Sequence, residues 1–397
     1  MKARMASIVL LLGSMILNLC CAPSGSGTEA HEQASFHTVD LCSVYASAGM
    51  EQIFETEESV YYLRSTAAND YQLFFSDKRD KQWLPLCAKP NCTHTTENCA
   101  SMLEGDASNK VWLYGEHIYY LIRTDIDGTS ALELWRMELD GSAHDKLCAY
   151  FEDRENTGAA YAYEWYFHNK YAVVMYHLLD IERGRFITET YRIDLSSKDL
   201  KPVRLDIPEE ISLGNPIAGN GNELYCVCGT EGNELIKADL DAGSARRLCT
   251  LPFEPDLFSC MLKDDALIFA EGWELGKILR VDTESGALVT IASAEPQTRR
   301  WYYPYGNYIF GSNTSAVPSL AGTEVSDLSG NLVIELPHSE GEADIIISKI
   351  IGDFVFGYER SAANSAPTAL PGWYLDIKEL GTDSFGWHRW ATADNAY

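Results

Sequence analysis

The feature that most constrains this chain is a plan that recurs about seven times after Met50: a strand, a turn opened by Asp, and a second strand, as in KILRVDTESGALVTI at 277–291. The turn-opening residues Asp77, Asp140, Asp194, Asp239, Asp282, Asp327 and Asp376 are spaced by 63, 54, 45, 43, 45 and 49 residues. A period in the mid-forties is the size of a four-stranded propeller blade. Upstream of these turns stand strands that alternate polar and apolar, such as LELWRMELD at 132–140 and ILRVD at 278–282. Further upstream lie more uniformly apolar segments: SVYYLRS at 59–65, HIYYLIR at 117–123, YAVVMY at 171–176, LYCVC at 224–228, ALIFAE at 266–271, YIFGS at 308–312 and FVFGY at 354–358. Alternation marks a strand with one wet face, and an unbroken apolar run marks one buried on both. A ring of blades needs both kinds, because each sheet is sandwiched between its neighbours.

Asp140-Gly141, Asp127-Gly128 and Ser329-Gly330 carry hairpin chemistry, since Gly tolerates the positive φ of tight turns. Past the N-terminal segment no stretch sustains a 3.6-residue apolar period. The expectation is an all-β protein, a seven-bladed β-propeller of four-stranded antiparallel blades occupying 38–397, with six or eight blades as the alternatives. A terminal strand should close the ring so that no edge is left unpaired, and VDLCSVY at 39–45 is the candidate.

The N-terminus has a different character. Lys2 and Arg4 precede an apolar run from Ala6 to Leu19 that is broken by Gly13, Ser14 and Asn18. A spanning helix needs ~20 apolar residues, so residues 1–21 read as a signal peptide rather than an anchor helix. Leu17, Asn18, Leu19 and Cys20, with Cys21 behind, have the layout of a lipobox, in which a Cys becomes the lipidated N-terminus. Leu19 stands where a small residue is usual, which makes Cys21 a rival acceptor to Cys20. Residues 22–37 begin with small, polar residues and read as a flexible tether. The expected location is the outer face of a bacterial cytoplasmic membrane, lipid-anchored, with simple secretion as the alternative.

Fifty-eight acidic residues against 31 basic ones give a formal charge of −27. That field repels phosphate backbones, so nucleic acid is excluded as a partner, and a solvated acidic surface is the plain reading.

The long first spacing comes from an insertion at 86–109 that contains LCAKPNCTHTTENCASM at 86–102. Cys87, Cys92, His94 and Cys99 supply three thiolates and an imidazole, a full tetrahedral set for zinc, on a loop short enough to close at small entropic cost. The spacing C-x4-C-x-H-x4-C is not a standard ribbon or knuckle. A disulfide from Cys99 to Cys87 or Cys92, or free thiols, would serve an exported chain equally well. The combination of lipobox, blade repeat, and Leu86, Cys87, Lys89, Pro90, Cys92, His94, Cys99 and Ala100 resembles extracytoplasmic lipoproteins of Gram-positive anaerobes that carry a propeller. The resemblance implies fold and location and brings no activity with it.

Of the 11 cysteines, Cys148, Cys226, Cys228, Cys249 and Cys260 fall on expected strands and read as buried small hydrophobes. Tyr161, Tyr163, Trp165, Trp301 and Tyr303 lie in or before first strands of blades, where rings could stack on a sugar or peptide, although core packing explains each one singly. Trp273 sits in an EGWELG turn, with fewer packing reasons to be there. Asp125-x-Asp127-Gly128 lacks the later Glu of a calcium loop, and Gly219-x-Gly221 lacks the third glycine of a dinucleotide site. No nucleophile elbow, zinc-protease helix or phosphate loop is present. The expected function is a non-catalytic binding or scaffolding module for an extracellular protein, peptide or glycan, with a polysaccharide hydrolase or lyase on the same scaffold as the alternative.

Overall fold

The alternating and the uniformly apolar segments fall on different strands of one repeated sheet. The computed structural model describes residues 52–392 apart from 66–70, 95–97, 104–110, 127–128, 151–161, 181–184, 209–210, 229–231, 256–259, 272–275, 294–299, 314–321, 338–344 and 360–369. Seven blades follow one another, at 52–85, 111–150, 162–204, 215–250, 260–293, 300–337 and 345–389, each with four antiparallel strands in chain order. First strands of neighbouring blades touch, as Asn215–Asn220 does Cys260–Lys263 and Cys260–Lys263 does Arg300–Tyr305, which places them beside the axis.

The uniformly apolar segments are all second strands, including Ser59–Ser65, Tyr171–Asp180, Ala266–Glu271 and Phe354–Glu359. Their side chains belong to clusters that bridge one blade to the next all the way round the ring. Fourth strands are the wet edges, and five of the six residues of Leu288–Ser293 are exposed. No blade has a core of its own; each is half of two interfaces.

The Asp ruler has a single physical cause. In every blade the Asp side chain accepts a hydrogen bond from the backbone N–H two residues on: Arg79, Ser142, Ser196, Asp241, Glu284, Ser329 and Lys378 donate at 2.8–3.2 Å to Asp77, Asp140, Asp194, Asp239, Asp282, Asp327 and Asp376. This Asx turn takes the chain from the third strand towards the fourth.

Ring closure is an aromatic latch between blades 7 and 1. Trp83 donates from Nε1 to the Pro371 carbonyl at 3.0 Å, and Trp390 to Ser76 Oγ at 3.1 Å. Both rings are fully buried with Phe354, Phe356 and Tyr62. Ala391–Thr392 then adds to Gln82–Pro85 in parallel, covering the edge of blade 1. The closing strand expected at 39–45 lies outside the described residues; among those described, closure comes from this C-terminal pair.

His168 ends the first strand of blade 3 and is 1% exposed, packed against Gly219 of blade 4, where a Cβ would lie 2.3 Å from its Cε1. Burial pushes its imidazole down, to about 4. Neutral His168 therefore supports the fold fully above the unfolded value of about 6.5 and loses that support as pH falls through about 4. Asp77, lowered to about 2 chiefly by the Arg79 side-chain hydrogen bond, acts in a lower window, from about 3.9 down to about 2. Urea unfolding across pH should show stability falling in both windows, and His168→Asn should flatten only the upper one. Trp390→Ala should cost about 3–5 kcal/mol by cavity formation, read by the same denaturation.

Candidate metal centre

The insertion leaves and rejoins the same strand. After Gln82–Pro85 the chain departs at Leu86, whose N–H donates to the Leu73 carbonyl at 2.9 Å, and it returns at Ser101, whose carbonyl accepts from the Leu73 N–H at 2.8 Å. Met102–Leu103 then pairs with Tyr71 and Gln72. One residue of the third strand thus clamps both ends of the loop, and the ordering of its neck is provided by blade 1.

Within that loop the ligand atoms of Cys87, Cys92, His94 and Cys99 all lie within 4.8 Å of one another. His94 Nδ1 is 3.4 Å from Cys99 Sγ. Zinc bonds of ~2.0–2.1 Å to nitrogen and ~2.3 Å to sulfur, set tetrahedrally, give an N···S edge of about 3.6 Å and an S···S edge of about 3.8 Å. The His94–Cys99 edge therefore matches that of a zinc tetrahedron, and the widest separation in the cluster is at most about 1 Å beyond one. Two residues of the loop, Asn91 with φ 59° and His94 with φ 58°, take the left-handed conformation, which brings the chain round the centre. Asn and His are among the residues that tolerate it best.

The surroundings of the sulfurs make the same case. The backbone N–H of His94 donates to Cys92 Sγ and that of Ser101 to Cys99 Sγ, each at 3.4 Å. The N–H groups of Lys89 and Ala100 turn toward Cys87. Each sulfur thus takes an amide from two residues downstream, an arrangement that stabilises thiolate rather than thiol. At Cys87, burial would raise the thiol, but these amides together with the Cys99 and Cys92 thiols outweigh it and hold the group below its ordinary value. At Cys99, burial wins over Ser101 and pushes the thiol up to about 11. A divalent cation would remove that penalty, since a coordinating sulfur gives up its proton.

A buried polar chain supports the loop from behind. Gln72, 2% exposed, donates from Nε2 to the His94 carbonyl at 3.1 Å and to Ser101 Oγ at 3.2 Å. Its Oε1 accepts from Arg64 at 2.9 Å, and Ser101 Oγ meets Cys99 Sγ at 3.0 Å. Sequence reading passed over Gln72, although an amide inside the apolar strand YQLFFSD was the available signal.

All eight described cysteines are free, so the disulfide alternative for this loop is not what the structure holds. Cys226, Cys228 and Cys260 are buried as expected, and Cys148 and Cys249 half-buried. Among the aromatic candidates, Trp165 is 3% exposed in the core joining blades 2 to 4. Tyr303 is 9% exposed, and its hydroxyl donates to the Ile347 carbonyl at 3.0 Å. Tyr163 and Trp301 lie on first strands of blades 3 and 6, at 162–168 and 300–305. Tyr161, Trp273, Cys20 and Cys21 lie outside the described residues.

No family model matches the chain, and no curated protein matches it. Solved structures similar to it include a prolyl endopeptidase (12% identity, 80% of this chain and 46% of that one, TM-score 0.45). A chain of the mitotic checkpoint complex is similar over 86% of this chain and 94% of its own, at 9% identity and TM-score 0.43. An α-L-arabinofuranosidase of Fusarium graminearum bound to an iminosugar inhibitor is similar over 66% of this chain and 87% of its own, at 10% identity and TM-score 0.37. Likeness at that level says nothing about activity.

Gly141, in the Asp-led turn of blade 2, has φ 77° and approaches Leu86 so closely that a Cβ would sit 2.3 Å from the Leu86 carbonyl oxygen. Gly141→Ala should therefore strain the turn and push the root of the loop off Leu73. A loss of about 1–3 kcal/mol in chemical denaturation is expected.

Proposed function

We propose that this chain is an extracytoplasmic, lipid-anchored propeller that binds a protein, peptide or glycan without catalysis. Cys87, Cys92, His94 and Cys99 hold one structural zinc ion in it, stapling the insertion to blade 1. The observation that carries the reading is the saturated ligand set: four protein donors within 4.8 Å of one another, with amides directed at the sulfurs. Catalytic zinc keeps one position open for water or substrate, whereas a site filled by four side chains is structural. The metal then fixes a surface and performs no chemistry. The −27 charge keeps polyanions away from that surface.

Anchoring rests on Lys2, Arg4, the apolar run and the paired Cys20 and Cys21. One of the two cysteines is the acceptor, and two acyl chains on it make a stable anchor where a single chain makes a marginal one.

The test uses soluble protein starting at Gly25, purified without chelator under anaerobic conditions. About one zinc per chain is expected by elemental analysis, lost in the Cys92→Ser, His94→Ala double variant and released as pH falls, because thiolates and imidazole regain protons. No metal, with two fewer titratable thiols, would make the loop a disulfide staple. For the full chain, incorporation of an alkynyl fatty acid should persist in one of the single variants Cys20→Ala and Cys21→Ala, be lost in the other, which identifies the acceptor, and vanish when both are replaced.

A further inference from the structure

Beside the metal centre the loop does not lie flush on its neighbour. A cavity of about 640 Å³ opens between it and blade 2, within the size range of small-molecule sites. One wall is the loop itself, from Ala88 to Pro90 and from Asn98 to Ala100, followed by Met102 and Leu103. The other is Tyr120, Ile122 and Trp135 of blade 2, with the turn from Gly141 to His144 at the end.

The blade 2 wall is rigid before anything binds. Trp135 donates from Nε1 to Glu133 Oε2 at 3.0 Å. Glu133 is 4% exposed, and its other oxygen takes Lys146. Tyr120, 2% exposed, shares a 2.9 Å hydrogen bond between its hydroxyl and His144 Nδ1. The Tyr120 and Trp135 rings stack at 6.3 Å with 17° between their planes. On the loop side, Lys89 gives its ammonium to the Asn98 carbonyl.

The polar tips of Lys89, Tyr120 and Trp135 and Nδ1 of His144 are thus already engaged within the protein, and His144 Nε2 is a buried polar atom of the lining left without a partner. What the walls mainly present is ring carbon, aliphatic carbon and the Met102 thioether. Such walls favour a flat apolar body, through ring contacts and sulfur–aromatic contacts.

We infer that this cavity is a metal-dependent binding pocket for an uncharged planar ring, carried by a free small molecule or by an aromatic side chain. The inference rests on the structural zinc reading for its metal dependence, since Cys99 is both a ligand and part of the wall, and Ala88, Asn98 and Ala100 of the wall adjoin Cys87 or Cys99 in the chain. Zinc holds that wall at its distance from Trp135; without it the loop is held at its neck by Leu73 and at the His94 carbonyl by Gln72, and the ligand side chains are untied.

The experiment titrates indole into zinc-loaded soluble protein starting at Gly25, followed by calorimetry and saturation-transfer NMR, with zinc measured on the same samples. One saturable indole site is expected. Met102→Trp, which fills the cavity from the loop side, should weaken binding at least tenfold while zinc stays at one per chain. Cys92→Ser, His94→Ala should weaken indole binding by a similar factor. Zinc-loaded protein without saturable indole binding overturns the pocket and leaves the zinc reading intact. Wild-type protein purified without zinc that still binds indole, weakened by Met102→Trp, overturns the metal dependence and the zinc reading together, whereas a zinc-free Cys92→Ser, His94→Ala variant that binds indole as tightly as zinc-loaded wild type overturns the metal dependence alone. Tighter binding of indole-3-acetate than of indole overturns the uncharged ligand. Competition by the capped tripeptide acetyl-Gly-Trp-Gly-amide assigns the ring to a peptide, and lack of competition assigns it to a free molecule.

Discussion

Joining blade 7 to blade 1 is the constraint on which the ring depends. Trp390 reaches Ser76 across 314 residues of sequence. Closure entropy grows only logarithmically, by about 0.6 kcal/mol for each doubling of the loop, so distance along the chain is a modest obstacle. Density of contact is the harder requirement, and the latch meets it with two buried Trp rings, each with its N–H satisfied, and two residues of parallel strand. Every other blade interface joins sequence neighbours, and those can form as the chain is laid down.

The same economy appears in the insertion. A loop that leaves a wet sheet edge would ordinarily float, yet Leu73 fixes its exit and its return, and Gln72, one residue earlier, secures its middle through the His94 carbonyl. Adjacent residues on a strand face opposite ways, so backbone and side chain divide the work: Leu73 uses its peptide groups and keeps its side chain in the core, while Gln72 turns its amide to the loop. The four candidate ligands therefore hang from a strand that holds the loop by both its backbone and its side chains.

Much of this could be read in the residues. The Asp ruler located all seven third-strand ends because one local hydrogen bond, from the amide two residues on, selects that side chain each time. The second strands announced themselves because burial on both faces leaves no room for alternation. Cys87, Cys92, His94 and Cys99 were visible as a group because they are close in sequence, and the structure brings all four together. Closure by Ala391–Thr392 was hidden, since a two-residue strand carries no pattern and its partner lies some three hundred residues away. The support from Gln72 and the aromatic wall of Tyr120 and Trp135 were hidden for a related reason. Each looks like ordinary strand composition until the fold brings distant segments side by side.

The position of the latch in chain order also sets a schedule. Trp83 and Ser76 belong to the first blade made, and their partners Pro371, within blade 7, and Trp390, just past it, come at the far end of the ring. Blade 1 must wait, one flank open, until the far end of the ring has been synthesised and delivered to the same side of any membrane it crosses. A chain of this layout stays threadable until late, and becomes a closed body only once there is little left to thread.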